Sequence, residues 1–143
     1  MKAPTKAKLL NFAEFVQMAN FEIIYSPHVE KAYTDGIRRI YVSSSLKNRP
    51  ERFFVILHEM AHIYLTYLNR HLKDYQPVAQ KENESICDIL AALYLKKVAG
   101  FPSELIVRSM LLLSPTYTNK FRVEIVRNVL NKFEGVEDIT KWL

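Results

Sequence analysis

The stretch from residue 52 to about residue 69 is apolar nearly all round at helical spacing, and His58-Glu59-Met60-Ala61-His62 stands in its middle. A helix that is apolar on every side must be buried. This one is therefore predicted to be the centre of the fold, with two imidazoles and a carboxylate inside it. Burying such groups without partners is costly. Two readings meet that demand: a pair of core histidines satisfied by neighbours, or a metal site. Residues at i and i+4 stand on one helix face, so both imidazoles can reach one ion. Glu59, next to the first histidine, can reach a water on that ion without ligating it, as metal-assisted hydrolysis requires. The H-E-x-x-H pattern favours the metal: His58 and His62 as ligands of Zn²⁺, with Glu59 as the general base.

Two histidines leave a tetrahedral Zn²⁺ short of one protein ligand and one water. The metzincin spacing would put glycine at 65 and histidine at 68, but Leu65 and Leu68 stand there. His71 comes nine residues after His62 and falls off the ligand face. Glu84 is the better candidate, 22 residues after His62, far enough for a loop and an antiparallel return helix. Asp88, four residues on, shares its face and is placed to accept a hydrogen bond from the far nitrogen of a ligand histidine. Glu82 is the fallback ligand. The competing reading, two acids on a solvated face, sits badly with the apolar run Ile86, Ile89, Leu90, Ala91 and Leu93. Cys87 is expected to be a small buried group. His28, Tyr41 and Tyr64 are polar groups that could stabilise an oxyanion, and packing or surface roles are commoner for each.

Around this centre the pattern predicts an α+β fold in one domain spanning residues 1–143, a length that suits a single core. A helix is expected over 5–20, carried by Leu9, Phe12, Ala13, Val16 and Ala19. A strand follows over 21–25. Two more, over 29–34 and 37–43, flank Asp35-Gly36, a two-residue hairpin signal. The result is a small antiparallel three-stranded sheet, with residues 37–43 as an edge open to an extended peptide. Asn48, Pro50 and Glu51 read as the start of the central helix. Further helices are expected over 78–99, 103–113 and 119–133, the last amphipathic through Phe121, Ile125, Val126, Val129, Leu130 and Phe133. The final eight residues stay unassigned. Cys87 is the single cysteine, so no internal disulfide forms, and a cytoplasmic location is expected. No apolar run is long enough to span a membrane. The net charge of +5 is spread in ones and twos, so direct nucleic-acid binding is not expected.

His58-Glu-Met-Ala-His62 followed by Glu84-Ser-Ile-Cys-Asp88 resembles the gluzincin pattern of thermolysin-like peptidases. More closely, the chain resembles the ImmA/IrrE family of small metallo-endopeptidases over roughly residues 20–95. The family's strand pair and Arg-Phe-x-x-x-His-Glu-x-x-His are matched by Ile40-Tyr41-Val42 and by Arg52-Phe53 leading into His58, here with four residues between Phe53 and His58 rather than three. Its Glu, then Asn or Asp, then small-residue apolar helix correspond to Glu84, Asp88 and Ile89-Leu90-Ala91-Ala92-Leu93. Ala61 stands where the family usually has glycine, and Leu95-Lys96-Lys97 replaces its usual Leu-Leu-Met-Pro. The resemblance implies a zincin-like fold, zinc as cofactor, and cleavage of a protein substrate such as a helix-turn-helix repressor. The alternative is a zinc-containing regulatory or binding protein of a mobile element that does not cleave peptides.

Overall fold

The computed structural model describes residues 9–72, 79–113 and 120–132. In chain order these form α1 (Phe12–Met18), β1 (Glu22–Ser26), β2 (Ala32–Thr34), β3 (Arg39–Ser43), a 3-10 turn (Ser44–Leu46), α2 (Arg52–His71), α3 (Gln80–Leu93), a π-helical turn (Tyr94–Val98), α4 (Ser103–Leu113) and α5 (Lys120–Lys132). The fold is α+β, with a three-stranded mixed sheet and five α-helices among the described residues. None of these helices is long and apolar enough to cross a membrane. The expected starts of the first helix and of the helices at 78 and 119, and the expected helix end at Phe133, lie outside the described residues.

Helix α1 is shorter than its periodicity predicts because Asn11 caps it. The Asn11 Oδ1 accepts from the Glu14 amide at 2.9 Å, and Glu14 Oε1 accepts from the Asn11 amide at 3.1 Å. This reciprocal capping box fixes the helix start. Phe12 is fully buried and lies 5.5 Å from the Tyr64 ring and 6.0 Å from the Tyr94 ring. Seven residues do not hold a helix by themselves; this aromatic cluster holds α1 against α2.

The sheet corrects two expectations. Its order is β1-β3-β2, with β1 parallel to β3 and only β2 antiparallel to it. It is therefore mixed rather than antiparallel, and residues 37–43 supply the central strand rather than an edge. Burial explains the order. Ile40 and Val42 of β3 are completely buried, whereas every residue of β1 and β2 keeps some exposure. The strand with the most apolar inner face takes the place with neighbours on both sides. The hairpin joining β2 and β3 exists, but as a four-residue loop. Only Gly36 has a positive φ, at 79°. The Asp35 carboxylate accepts from the amides of Ile37, Arg38 and Arg39 at 2.8–2.9 Å. Those three bonds, the one from Ile37 foremost, hold its carboxyl below the usual range and select the longer loop over a two-residue turn.

Helix α2 begins later than Asn48. The 3-10 turn continues through i→i+3 bonds, from Arg52 N to Arg49 O and from Phe53 N to Pro50 O, both 3.2 Å. Glu51 takes the cap position without a side-chain cap bond. As expected, α2 is central: Phe54, Val55, Ala61 and Ile63 are among its buried residues on every side. It packs on the sheet, on α3, and on the π turn that ends α3. Gly100, at φ 77°, ends that turn, and the Phe101 amide reaches back to the Leu95 carbonyl at 2.7 Å.

Replacing Phe12 with alanine is expected to lower unfolding stability by about 3–5 kcal/mol, the usual cost of emptying a fully buried aromatic position. Urea denaturation monitored by far-UV circular dichroism measures it, and a loss below about 1 kcal/mol would show that α1 is not anchored through this ring.

Candidate metal centre

Helix α2 sets His58 and His62 one turn apart with their rings 4.8 Å apart and nearly perpendicular. Helix α3 brings Glu84 opposite them. The Nε2 atoms of the two histidines are 3.1 Å apart. Glu84 Oε2 lies 3.0 Å from His58 Nε2, and its Oε1 lies 3.0 Å from His62 Nε2. These spacings approach the roughly 3.3 Å between neighbouring donors of a tetrahedral ion with bonds of about 2.0–2.1 Å. Among the described residues, His58, His62 and Glu84 form the group that can hold a metal ion.

The chemistry of the donors fits a cation. Asp88 Oδ1 lies 2.8 Å from His58 Nδ1, so that nitrogen carries the proton whenever the imidazole is neutral. The His58 Nε2 lone pair then faces a second imidazole nitrogen and a carboxylate. Lone pairs so close repel unless a proton or a cation sits among them. The metal-free site responds by holding protons. Burial works to lower the His58 pKa, but the Asp88 and Glu84 carboxylates outweigh it and push it up to about 9. Burial works to raise the Glu84 pKa, and the two histidines overcome it, holding the carboxyl far below its ordinary value.

Burial is graded across the group. The side chains of His58 and Asp88 are 1% and 0% exposed, while those of His62 and Glu84 are 24% and 29% exposed. The inner half is sealed and the outer half faces solvent, so an ion held here is accessible from one side. Glu59 is buried beside His58 and is not among the ligand group.

One residue at the site has no counterpart in the sequence reading: Arg122. Its Nε and Nη2 donate to the two oxygens of Asp88, Nη2 to Oδ1 at 2.8 Å. The same Nη2 lies 3.3 Å from Glu84 Oε2. The reading of α5 placed Phe121 on the inner stripe, but Phe121 is 61% exposed and the Arg122 side chain only 11%. The signal available was positional: Arg122 is one turn before the buried Val126 and adjacent to the buried Val123.

The lower-ranked candidates lie elsewhere. Cys87 is buried, its thiol donates to Asn83 Oδ1 at 3.7 Å, and burial pushes its pKa up, so it stays a neutral thiol. His71 packs on the Tyr67 ring at the end of α2. Glu82 is exposed on the first turn of α3. The Tyr64 hydroxyl donates to the Leu10 carbonyl, Tyr41 stacks on Tyr33, and His28 is exposed. No protein-family model, curated protein or solved structure matches the chain.

The pKa shifts give the metal-free protein a defined pH profile. The raised His58 value contributes stability that is complete below its ordinary 6.5 and lost as pH rises through about 9. The lowered Glu84 value contributes stability that is complete above its ordinary 4.5 and lost in acid. Thermal melts in excess chelator are expected to show the highest Tm between these two ordinary values and a decline toward pH 9. A Tm that climbs over that alkaline range would contradict the proton-bridged site.

Proposed function

We propose that this chain is a zinc-dependent endopeptidase, a single zincin-like domain similar to the ImmA/IrrE family, acting on a protein substrate such as a helix-turn-helix repressor. The observation that carries the proposal is the convergence of His58, His62 and Glu84 with the buried Glu59 beside the first of them. Zinc suits two imidazoles and a carboxylate, and a catalytic site keeps one position open. In this reading His58, His62 and Glu84 hold the ion. The zinc, when bound, lowers the pKa of a water and polarises a peptide carbonyl.

The protein's own residues do the rest. Glu59 takes the proton of the attacking water and passes it to the departing amine. Its burial removes competing solvent from the carboxylate. A purely structural zinc site has no use for such a carboxylate, which is why the non-catalytic reading ranks second. Asp88 keeps the His58 proton on Nδ1, so that Nε2 stays a ligand atom. His62 and Glu84, each about a quarter exposed, mark the side from which substrate arrives. With β3 central, the strand edge available to an extended peptide beside α2 is that of β2, which packs against the helix.

Gently purified protein is expected to carry about one zinc per chain by elemental mass spectrometry, with His58→Ala and Glu84→Ala variants depleted. Glu59→Gln is expected to keep the zinc and the fold and to lose about 10²–10⁴-fold in cleavage of quenched-fluorescence peptide libraries and of a helix-turn-helix repressor. Full cleavage by Glu59→Gln would remove the proposed base. Zinc binding without any cleavage by the wild type would favour the regulatory reading.

A further inference from the structure

We infer that Arg122 of α5 is a positioning residue of the metal centre: its fork on Asp88 sets how tightly His58, His62 and Glu84 hold a divalent cation. The inference rests on the metal-binding reading above and adds a residue from a third helix to it.

Asp88 is completely buried, so both of its oxygens need partners within the protein. Arg122 meets both needs. Its planar guanidinium takes both oxygens of Asp88 at once, a geometry lysine cannot reproduce. The oxygen that receives Nη2 is the same Oδ1 that faces His58 Nδ1. Arg122 thus fixes the rotation of the carboxylate, and the carboxylate so held keeps Oδ1 against His58 Nδ1. The Nη2 contact to Glu84 Oε2, at 3.3 Å, restrains the third ligand as well. One side chain therefore touches a proposed ligand directly and another through a single intermediary.

Two effects of opposite sign compete. A guanidinium near a cation site repels the ion, while an ordered anion behind a ligand histidine strengthens the ligand. Positioning wins here because the Arg122 charge is committed to Asp88. Without Arg122, the buried Asp88 would lose the two bonds that hold its oxygens in place. Formal charge points the same way: Glu59, Glu84 and Asp88 are balanced by one guanidinium together with one divalent cation.

The test is zinc affinity of the full chain, read by competition with a chromophoric chelator, for wild type, Arg122→Leu, Arg122→Lys, Asp88→Asn and the Arg122→Leu/Asp88→Asn pair. Folding is checked by far-UV circular dichroism. Arg122→Leu is expected to bind zinc about 10–100-fold more weakly, with partial rescue in Arg122→Lys. In the Asp88→Asn background, Arg122→Leu should cost clearly less than in the wild type, because most of its effect runs through that carboxylate and only the Glu84 contact remains to be lost. A merely structural arginine would instead give additive losses. A folded Arg122→Leu that binds zinc as well as wild type, or more tightly, overturns the inference. If Arg122→Leu does not fold, Arg122→Lys decides: affinity equal to wild type overturns the inference, and a several-fold loss supports it. Wild-type protein that takes no zinc overturns the metal reading itself, a separate and distinguishable result.

Discussion

A carboxylate with no access to water, Asp88, is the constraint around which the described helices are arranged. Its two oxygens are taken by the Arg122 fork, and one of them also faces His58. Removing any one of these partners leaves a buried charge or donor uncompensated, which costs far more than the pair contributes when intact. The apolar core supplies the cohesion, but it is compatible with many small rotations of α3 and α5 about α2. The polar contacts are not. They fix the three helices in the one rotation that also points His58, His62 and Glu84 at each other.

The same arrangement separates a rigid side of the site from a responsive one. His58 and Asp88 are sealed inside, where packing around Phe54 and the neighbouring helices holds rotamers. His62 and Glu84 are partly exposed, so solvent reaches that half of the group. A site of this kind is preorganised at its base and open at its mouth.

How much of this was legible in the sequence depended on distance along the chain. His58 with His62, and Glu84 with Asp88, are i,i+4 pairs, and a helix brings such pairs together whatever the rest of the fold does. The span of α4 was legible as well, because Pro102 and Ser114-Pro115 bracket its apolar run. The place of β3 at the centre of the sheet was not, since strand order follows from a competition among strands for burial. The Asp35 loop was misread because Asp-Gly signals a tight turn only when its aspartate does not prefer to gather three amides. Arg122 was hidden for a related reason. It meets Asp88 across 34 residues, and its neighbour Phe121 looked the better core residue on composition alone. A buried arginine is legible only once the acid that pairs with it has been placed.

That separation along the chain carries a consequence for biosynthesis. Domains are made from their N-terminus at about 5–20 residues per second, so α2 leaves the ribosome before α3, and Arg122 emerges after both. A nascent chain exposes two histidines, then Glu84 and Asp88, before anything can pair the buried acid. The fully ordered centre thus forms only once α5 has been made. Tight ion capture would wait for α5, which would keep a chain that still lacks it from acquiring whatever chemistry the ion confers.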